Sequence, residues 1–509
     1  MTETIVETES IGRKAGRGIG WGLLGNGITK IGSFATTLVL ARLLVPHDYG
    51  VYAVALAAMQ FVIHINDVGI IPATIQWRGK LEEMAPTAAT LAAGFSLIIY
   101  IGFWFTAPSF AHLSGVPEAV PVIRLFTANI LIDGITAVRS AYLLRTFQQG
   151  RYVAANAVGI VANAVVAISM SLAGAGAMAL ASGQLASSIA TGILVFVWAG
   201  LPIRVGIDWA IARKLMVFGV PLAASLGVES ILEQADKVIV GRLAGAGILG
   251  FYLLALSISS WAPGMIGSAI RFVSLPGFAR LSERDEESLS KGVTSSLPLL
   301  VLAMVPIAVL IAVMAKPTIG FLYGATWLPA AGPLRFLMIL MVVRMITGLC
   351  MDILMSTGKT KWTLLINIGW LIVGVPALWF GTKAGGAAGT AIAHAVVGVL
   401  VAVPLAAFAL HRVGVRLGPL ARPMIRPLLA GAVAGVVAYL LDRALLGFNS
   451  FVQLAVAGTA GLLVYLVLAI PRRDLKLWIA AARHKPATGP GEPVTDVGKP
   501  ATELGDAAA

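Results

Sequence analysis

The sequence predicts an all-α polytopic membrane protein of about fourteen transmembrane helices, built as two pseudo-symmetric six-helix lobes plus two C-terminal helices. Three observations predict it. The 509 residues are 58% hydrophobic and 12% charged, with a mean hydropathy of +0.89, whereas a soluble domain carries about 25% charged residues. Apolar stretches long enough to span a bilayer recur along most of the chain. The stretch 41–76 also has a second copy without a gap: Arg42, Leu43, Gly50, Tyr52 and Ala55 fall on Arg242, Leu243, Gly250, Tyr252 and Ala255, and upstream Gly27 and Ile31 fall on Gly227 and Ile231. Duplication at so long a period points to two lobes.

About 20 apolar residues cross a bilayer as a helix. The segments that meet this are 20–40, 51–72, 88–107, 119–138, 153–173, 177–200, 216–240, 251–270, 293–315, 333–355, 362–380, 387–410, 424–441 and 451–470. The polar residues 1–18 read as a cytoplasmic tail, and the Pro-, Gly- and Ala-rich residues 484–509 as a disordered one. The first lobe is expected over 19–200, the second over 215–410, and the last two helices over 424–470. A second register supports the duplication. Arg124, Leu125, Ile135 and Thr136 of the fourth segment fall on Arg335, Phe336, Ile346 and Thr347 of the tenth. Six helices separate the two copies, so both insert the same way up.

Loop charge tests this layout. With the N-terminus in the cytoplasm, most of the 37 Lys and Arg residues fall in cytoplasmic loops or the C-terminal tail. Only Arg42, Arg242, Lys316, Lys383 and Arg443 fall in the opposite loops. This bias places both termini inside. The net charge of +13 is spread through short loops and forms no face for nucleic acid. The single Cys350 excludes an intramolecular disulfide and a cysteine metal cluster.

A charge at mid-membrane costs about 2.5–3.5 kcal/mol on insertion scales, so the charged and polar residues inside segments carry the information. Asn26 and Lys30 share a face of the first helix. Gln60, His64 and Asp67 form a stripe on the second, and Asn129, Asp133 and Thr136 one on the fourth. Glu229, Glu233, Asp236 and Lys237 line the seventh, and Arg335 and Arg344 lie in the tenth. Polar stripes on several helices imply a wet cavity between them. Each has a plainer reading. Glu233 and Lys237 have the spacing of an ordinary ion pair, Arg124 and Arg335 are placed to snorkel to an interface, and His64 to hydrogen-bond between helices. Lys30 and Arg344 have no opposite charge within a turn of their own helix. The second register sets Asp133 against Arg344, so the lobes carry opposite charge at equivalent depth. No His/Asp/Glu cluster has metal-ligand spacing, and no cofactor is expected. Ser356-Thr357-Gly358-Lys359-Thr360 resembles the end of a phosphate loop, but Ile353 stands where its first glycine is needed.

Several motifs resemble those of the bacterial polysaccharide flippases, which belong to the exporter superfamily of the multidrug and toxic-compound extruders. They are Ala41-Arg42-Leu43-Leu44 with Pro46, Asp48, Tyr49 and Gly50; Asp67-Val68-Gly69 with Ile75-Gln76; and Leu143-Leu144-Arg145 with Phe147 and Arg151. Phe321-Leu322-Tyr323-Gly324 with Trp327, and Gly358-Lys359, complete the set. The resemblance implies a bacterial inner-membrane protein, not an enzyme, that moves a polyprenyl-diphosphate-linked oligosaccharide to the periplasmic leaflet by alternating access. It also implies work alongside polymerase and export proteins. In that reading Lys30, Arg344, Arg124 and Arg335 face the anionic lipid diphosphate, and Asn26, Gln60, Asn129 and Gln184 face sugars. Asp67, Asp133, Glu229, Glu233 or Asp236 carries a coupling H+ or Na+. Two alternatives remain. A drug/cation antiporter would favour carboxylates over cavity cations. A membrane polymerase or glycosyltransferase would need a larger external loop.

Overall fold

Pro, Gly and charge clusters punctuate the apolar runs, though several prolines, such as Pro108, Pro306 and Pro376, lie inside helices. The computed structural model describes residues 2–66, 81–146, 148–201, 204–282, 286–357, 359–415 and 418–470. Every regular element among them is helical. The first half comprises α1 (Thr2–Leu43), α2 (Pro46–Asn66), α3 (Leu81–Leu113), α4 (Val120–Thr127), α5 (Asn129–Arg145), α6 (Gln149–Leu172) and α7 (Ala177–Ala199). The second half comprises α8 (Trp209–Ser282), α9 (Glu286–Val313), α10 (Ala315–Leu322), α11 (Ala331–Ser356), α12 (Thr360–Val397) and α13 (Val403–Arg412). The chain closes with α14 (Gly418–Ala444) and α15 (Ser450–Ala469).

Ten helices among the described residues are long and apolar enough to cross a membrane. Two of the long elements are pairs. α8 breaks at Gly245, at φ 80°, and α12 at Gly385 and Gly386, the latter at φ 54°. Only glycine adopts those angles without strain. Divided there, the order is compatible with about fourteen crossing segments. Large apolar side chains such as Ile98, Phe105, Val161, Leu400 and Val467 are exposed around the bundle, as a protein solvated by lipid requires. The largest core cluster runs through both lobes, from Tyr49 and Val54 to Tyr252, Trp327 and Leu337.

The fourth segment forms one span, Pro117–Arg145. It turns at Ala128, which keeps helical angles of φ −59° and ψ −19°, and the Asn129 amide donates to the Phe126 carbonyl at 2.6 Å. One detail differs from the sequence expectation. The first helix begins at Thr2 rather than near residue 20.

Candidate functional site

The duplicated Arg–Gly motif builds a closure between the lobes. Pro46 opens α2, where its missing N–H costs nothing. Asp48, three residues after Val45, accepts from the Val45 N–H at 3.3 Å and caps the helix start. Arg42, at the end of α1, projects across to the other lobe. Its guanidinium donates to the carbonyls of Phe321 at 3.1 Å and Leu322 at 3.2 Å, the C-terminal end of α10. Arg242 does the reciprocal. It donates to the carbonyls of His112 at 3.2 Å and Leu113 at 3.4 Å, the end of α3. Each arginine therefore meets the orphan carbonyls of a helix C-terminus, where a cation is favoured.

Gly50 and Gly250 let the backbones meet between these caps. A Cβ at Gly50 would collide with the Ala246 carbonyl, and one at Gly250 with the Pro46 carbonyl. Trp327 is buried and seals the same end. Its Nε1 donates to the Ala41 carbonyl at 2.6 Å, and its ring meets Tyr49 edge-on at 4.9 Å. Deeper in, Phe34 of α1 stacks on Trp261 of α8 at 4.8 Å.

Beneath this closure lies a cavity of about 300 Å³, walled by α1, α2, α6, α7 and the second arm of α8. Its polar lining comprises hydroxyls and amides, including Ser33, Asn156, Asn163, Gln184, Ser187 and Ser257, and no charged side chain is among the described lining residues. Asn163 donates to Gln184 at 3.1 Å across the α6–α7 interface.

A second polar group is enclosed within the second lobe. Asp236 is buried. It accepts from the Tyr252 hydroxyl at 3.0 Å and pairs with Lys237 at 3.4 Å. The positive charge of Arg344 also reaches it. Arg344 donates to His394 Nε2 at 3.5 Å, and Trp370 stands edge-on to the imidazole. Nε2 is then the acceptor and Nδ1 carries the proton. Five segments converge here: both arms of α8, α11, and both arms of α12.

The residues singled out in the sequence separate accordingly. Arg344 does not stand free, because its partners come from other helices. Lys237 pairs with Asp236, and Glu233 is exposed. Arg124 is half-buried and Arg335 is exposed. Arg124 lies 4.6 Å over the Trp104 ring and donates to the Trp104 carbonyl, while the charge of Arg335 reaches Asp442. Neither lines the cavity. Lys30 is half-buried, one residue past the cavity-lining Thr29. Gln60 stands one turn beyond Leu56, the last α2 residue on the cavity wall. Asn129 spends its amide on its own helix, and Asp133 is half-buried on α5. Asp67 lies outside the described residues, as do the side chains of Asn26, His64 and Glu229. No group of His, Cys, Asp and Glu among the described residues has the makings of a metal site. Sequence reasoning missed Asn156, Asn163, Tyr252 and His394. The signal was present for two of them: Asn156 and Asn163 are seven apart in an apolar segment and so share a helix face.

The profile of the polysaccharide biosynthesis protein family matches residues 39–332. The chain belongs to that family. The match contains both arginine caps and the whole cavity except its α1 residues before 39. Among named relatives, the succinoglycan biosynthesis transport protein ExoT of Rhizobium meliloti is 24% identical over 61% of this chain and 63% of its own length. The chain thus aligns with somewhat less than two thirds of that relative. The lipopolysaccharide biosynthesis protein WzxC of Escherichia coli is 21% identical over 71% of this chain and 74% of its own. In fold, the chain resembles the lipid II flippase MurJ in an inward closed conformation, with a TM-score of 0.74 and 15% identity over 89% of this chain and 99% of that one. A multidrug resistance MATE family transporter of the MOP superfamily aligns with a TM-score of 0.54 and 17% identity, over 77% of this chain and 94% of that one. The family member described here is thus a multi-pass helical membrane protein with the two-lobed exporter fold.

Proposed function

We propose that this protein flips a polyprenyl-diphosphate-linked oligosaccharide across the bacterial inner membrane for polysaccharide export, by alternating access. The observation that carries this reading is the cavity between the two lobes, polar and without charge among its described lining residues, beneath a clasp of duplicated, reversible contacts at one end. On the loop-charge orientation the Arg42 end faces the periplasm and both termini face the cytoplasm, so the clasp is the outer gate. Family membership supports a glycan-related cargo, and the likeness to exporter folds supports a transport cycle. An anionic diphosphate crossing a low-dielectric slab needs a cation beside it. Lys30, at the rim of the cavity, is the residue we assign to it. For ion coupling we assign Asp236, whose carboxylate joins Lys237, Arg344 and His394 in the second lobe, with H+ or Na+ as the ion.

The test is genetic. Deleting the gene should leave lipid-linked repeat units facing the cytoplasm and no surface polymer. Reintroduced Lys30→Ala protein should reach the membrane and restore little of it. Normal polymer with altered sensitivity to cationic compounds would replace this reading with a drug antiporter. Glycan elongation by the purified protein would replace it with a polymerase.

A further inference from the structure

We infer that the cavity beneath the outer gate is a binding site for uncharged sugars, with Asn163 and Gln184 as its central contacts. This rests on the flippase reading and narrows its cargo. Carboxamides in the middle of membrane helices are costly unless something satisfies them. Here two face each other from α6 and α7 and share a single bond, in which Asn163 Nδ2 donates to Gln184 Oε1. That bond leaves the Gln184 NH2 group and the Asn163 carbonyl oxygen at the cavity, one a donor and one an acceptor. A sugar hydroxyl is both, so one hydroxyl satisfies the two together.

The remaining lining sharpens the selection. The hydroxyls of Thr29, Thr36, Thr37 and Ser257 donate to carbonyls of their own helices. Toward the cavity they present oxygen lone pairs, which accept from sugar hydroxyls. A carboxylate or phosphate only accepts. Placed here it would find a few donors, such as the Gln184 amide, but no cation among the described lining residues to offset its charge. At about 300 Å³ the cavity lies at the small end of ligand pockets, roughly 300–1,000 Å³. It takes part of an oligosaccharide, and the diphosphate stays outside it. The plainer role for such an amide pair is to fasten α6 to α7. That role predicts lost stability on substitution and no change in sugar preference.

The experiment is a titration of the purified full-length protein in nanodiscs with three lipids: bare polyprenyl diphosphate, the same lipid bearing a neutral hexose disaccharide, and the same lipid bearing a disaccharide that ends in a hexuronate. The neutral glycolipid is expected to bind about tenfold or more tighter than the bare lipid, and the hexuronate form to lose most of that gain, because a site built for hydrogen bonding rejects a ligand that leaves its polar groups unpaired. Gln184→Glu keeps the size and the acceptor for Asn163 but loses the free donor. It should bind the neutral form no better than the bare lipid, with an unchanged melting temperature. The double variant Asn163→Leu with Gln184→Leu should do the same. Equal affinity for the neutral and hexuronate forms overturns the inference, as does an unchanged preference in Gln184→Glu. Bare and sugar-bearing lipids bound alike leave the flippase reading standing and remove the sugar site. Failure of all three lipids to bind overturns the flippase reading itself.

Discussion

Asn163 and Gln184 in the first lobe hold one hydrogen bond between them and border open space, while Asp236, Tyr252, Arg344 and His394 in the second are bound to one another inside the lobe. The two lobes descend from one duplicated pattern, and their shared motif does the same work in each: an arginine crossing to cap a helix of the other. What fills the interior differs. Neutral groups at the cavity can grip and release a cargo without a large desolvation cost. Charges closed inside a lobe cannot meet cargo, but they change balance sharply when one of them gains or loses an ion. On the proposed function, duplication has kept the gate symmetric and divided the interior into a gripping half and a responding half.

The largest effect should come from the responding half. Asp236→Asn leaves Lys237 without its buried carboxylate, at a cost of about 3–5 kcal/mol. Thermal unfolding in detergent should show it, and export should be lost. If Asp236→Asn were as stable as the parent, the second lobe would not be an ionic unit. Gly50→Ala comes next, since its Cβ meets backbone and not a movable side chain. Overpacking costs about 1–3 kcal/mol or more, paid only in the closed state. A Ser33→Cys reporter should then react several-fold faster with an impermeant maleimide added outside. Tyr252→Phe removes a donor to a charged acceptor and should cost about 1.5–3 kcal/mol, without opening the gate. Arg42→Gln and Arg242→Gln should each weaken the gate by about 1 kcal/mol, since both arginines are exposed. Similar rises in Ser33→Cys labelling are expected for the pair, and a clearly unequal rise would break the symmetry of the comparison. The exposed His47–Glu118 contact lies within the first lobe. Glu118→Gln should shift stability by less than about 1 kcal/mol and leave the labelling unchanged.

The helical, two-lobed architecture was legible in the sequence because membrane spans are set by length and hydropathy, and because Arg42, Gly50 and Tyr52 recur as Arg242, Gly250 and Tyr252. What those residues touch was not legible. Spacing along one helix shows which side chains share a face, so Arg344 looked unpaired although His394 and Asp236 approach from other segments. The same reasoning grouped Glu233 with Asp236, yet one is exposed and the other buried. The seven-residue interval from Asn156 to Asn163 was readable as a stripe, but a search for charges passes over amides. Arg124 and Arg335 drew attention as intramembrane charges, but one is half-buried against Trp104 and the other is exposed.

The acceptors of the gate arginines are main-chain carbonyls at helix ends. Such carbonyls have no proton to exchange, and guanidinium groups stay ionised across the physiological range. A clasp made this way ignores acidity. The periplasm equilibrates readily with the surroundings of the cell, so a gate fastened by carboxylates would loosen whenever the medium turned acidic. This one should hold equally well in acidic soil water or neutral broth, leaving the timing of its release to events inside the protein rather than to the weather outside.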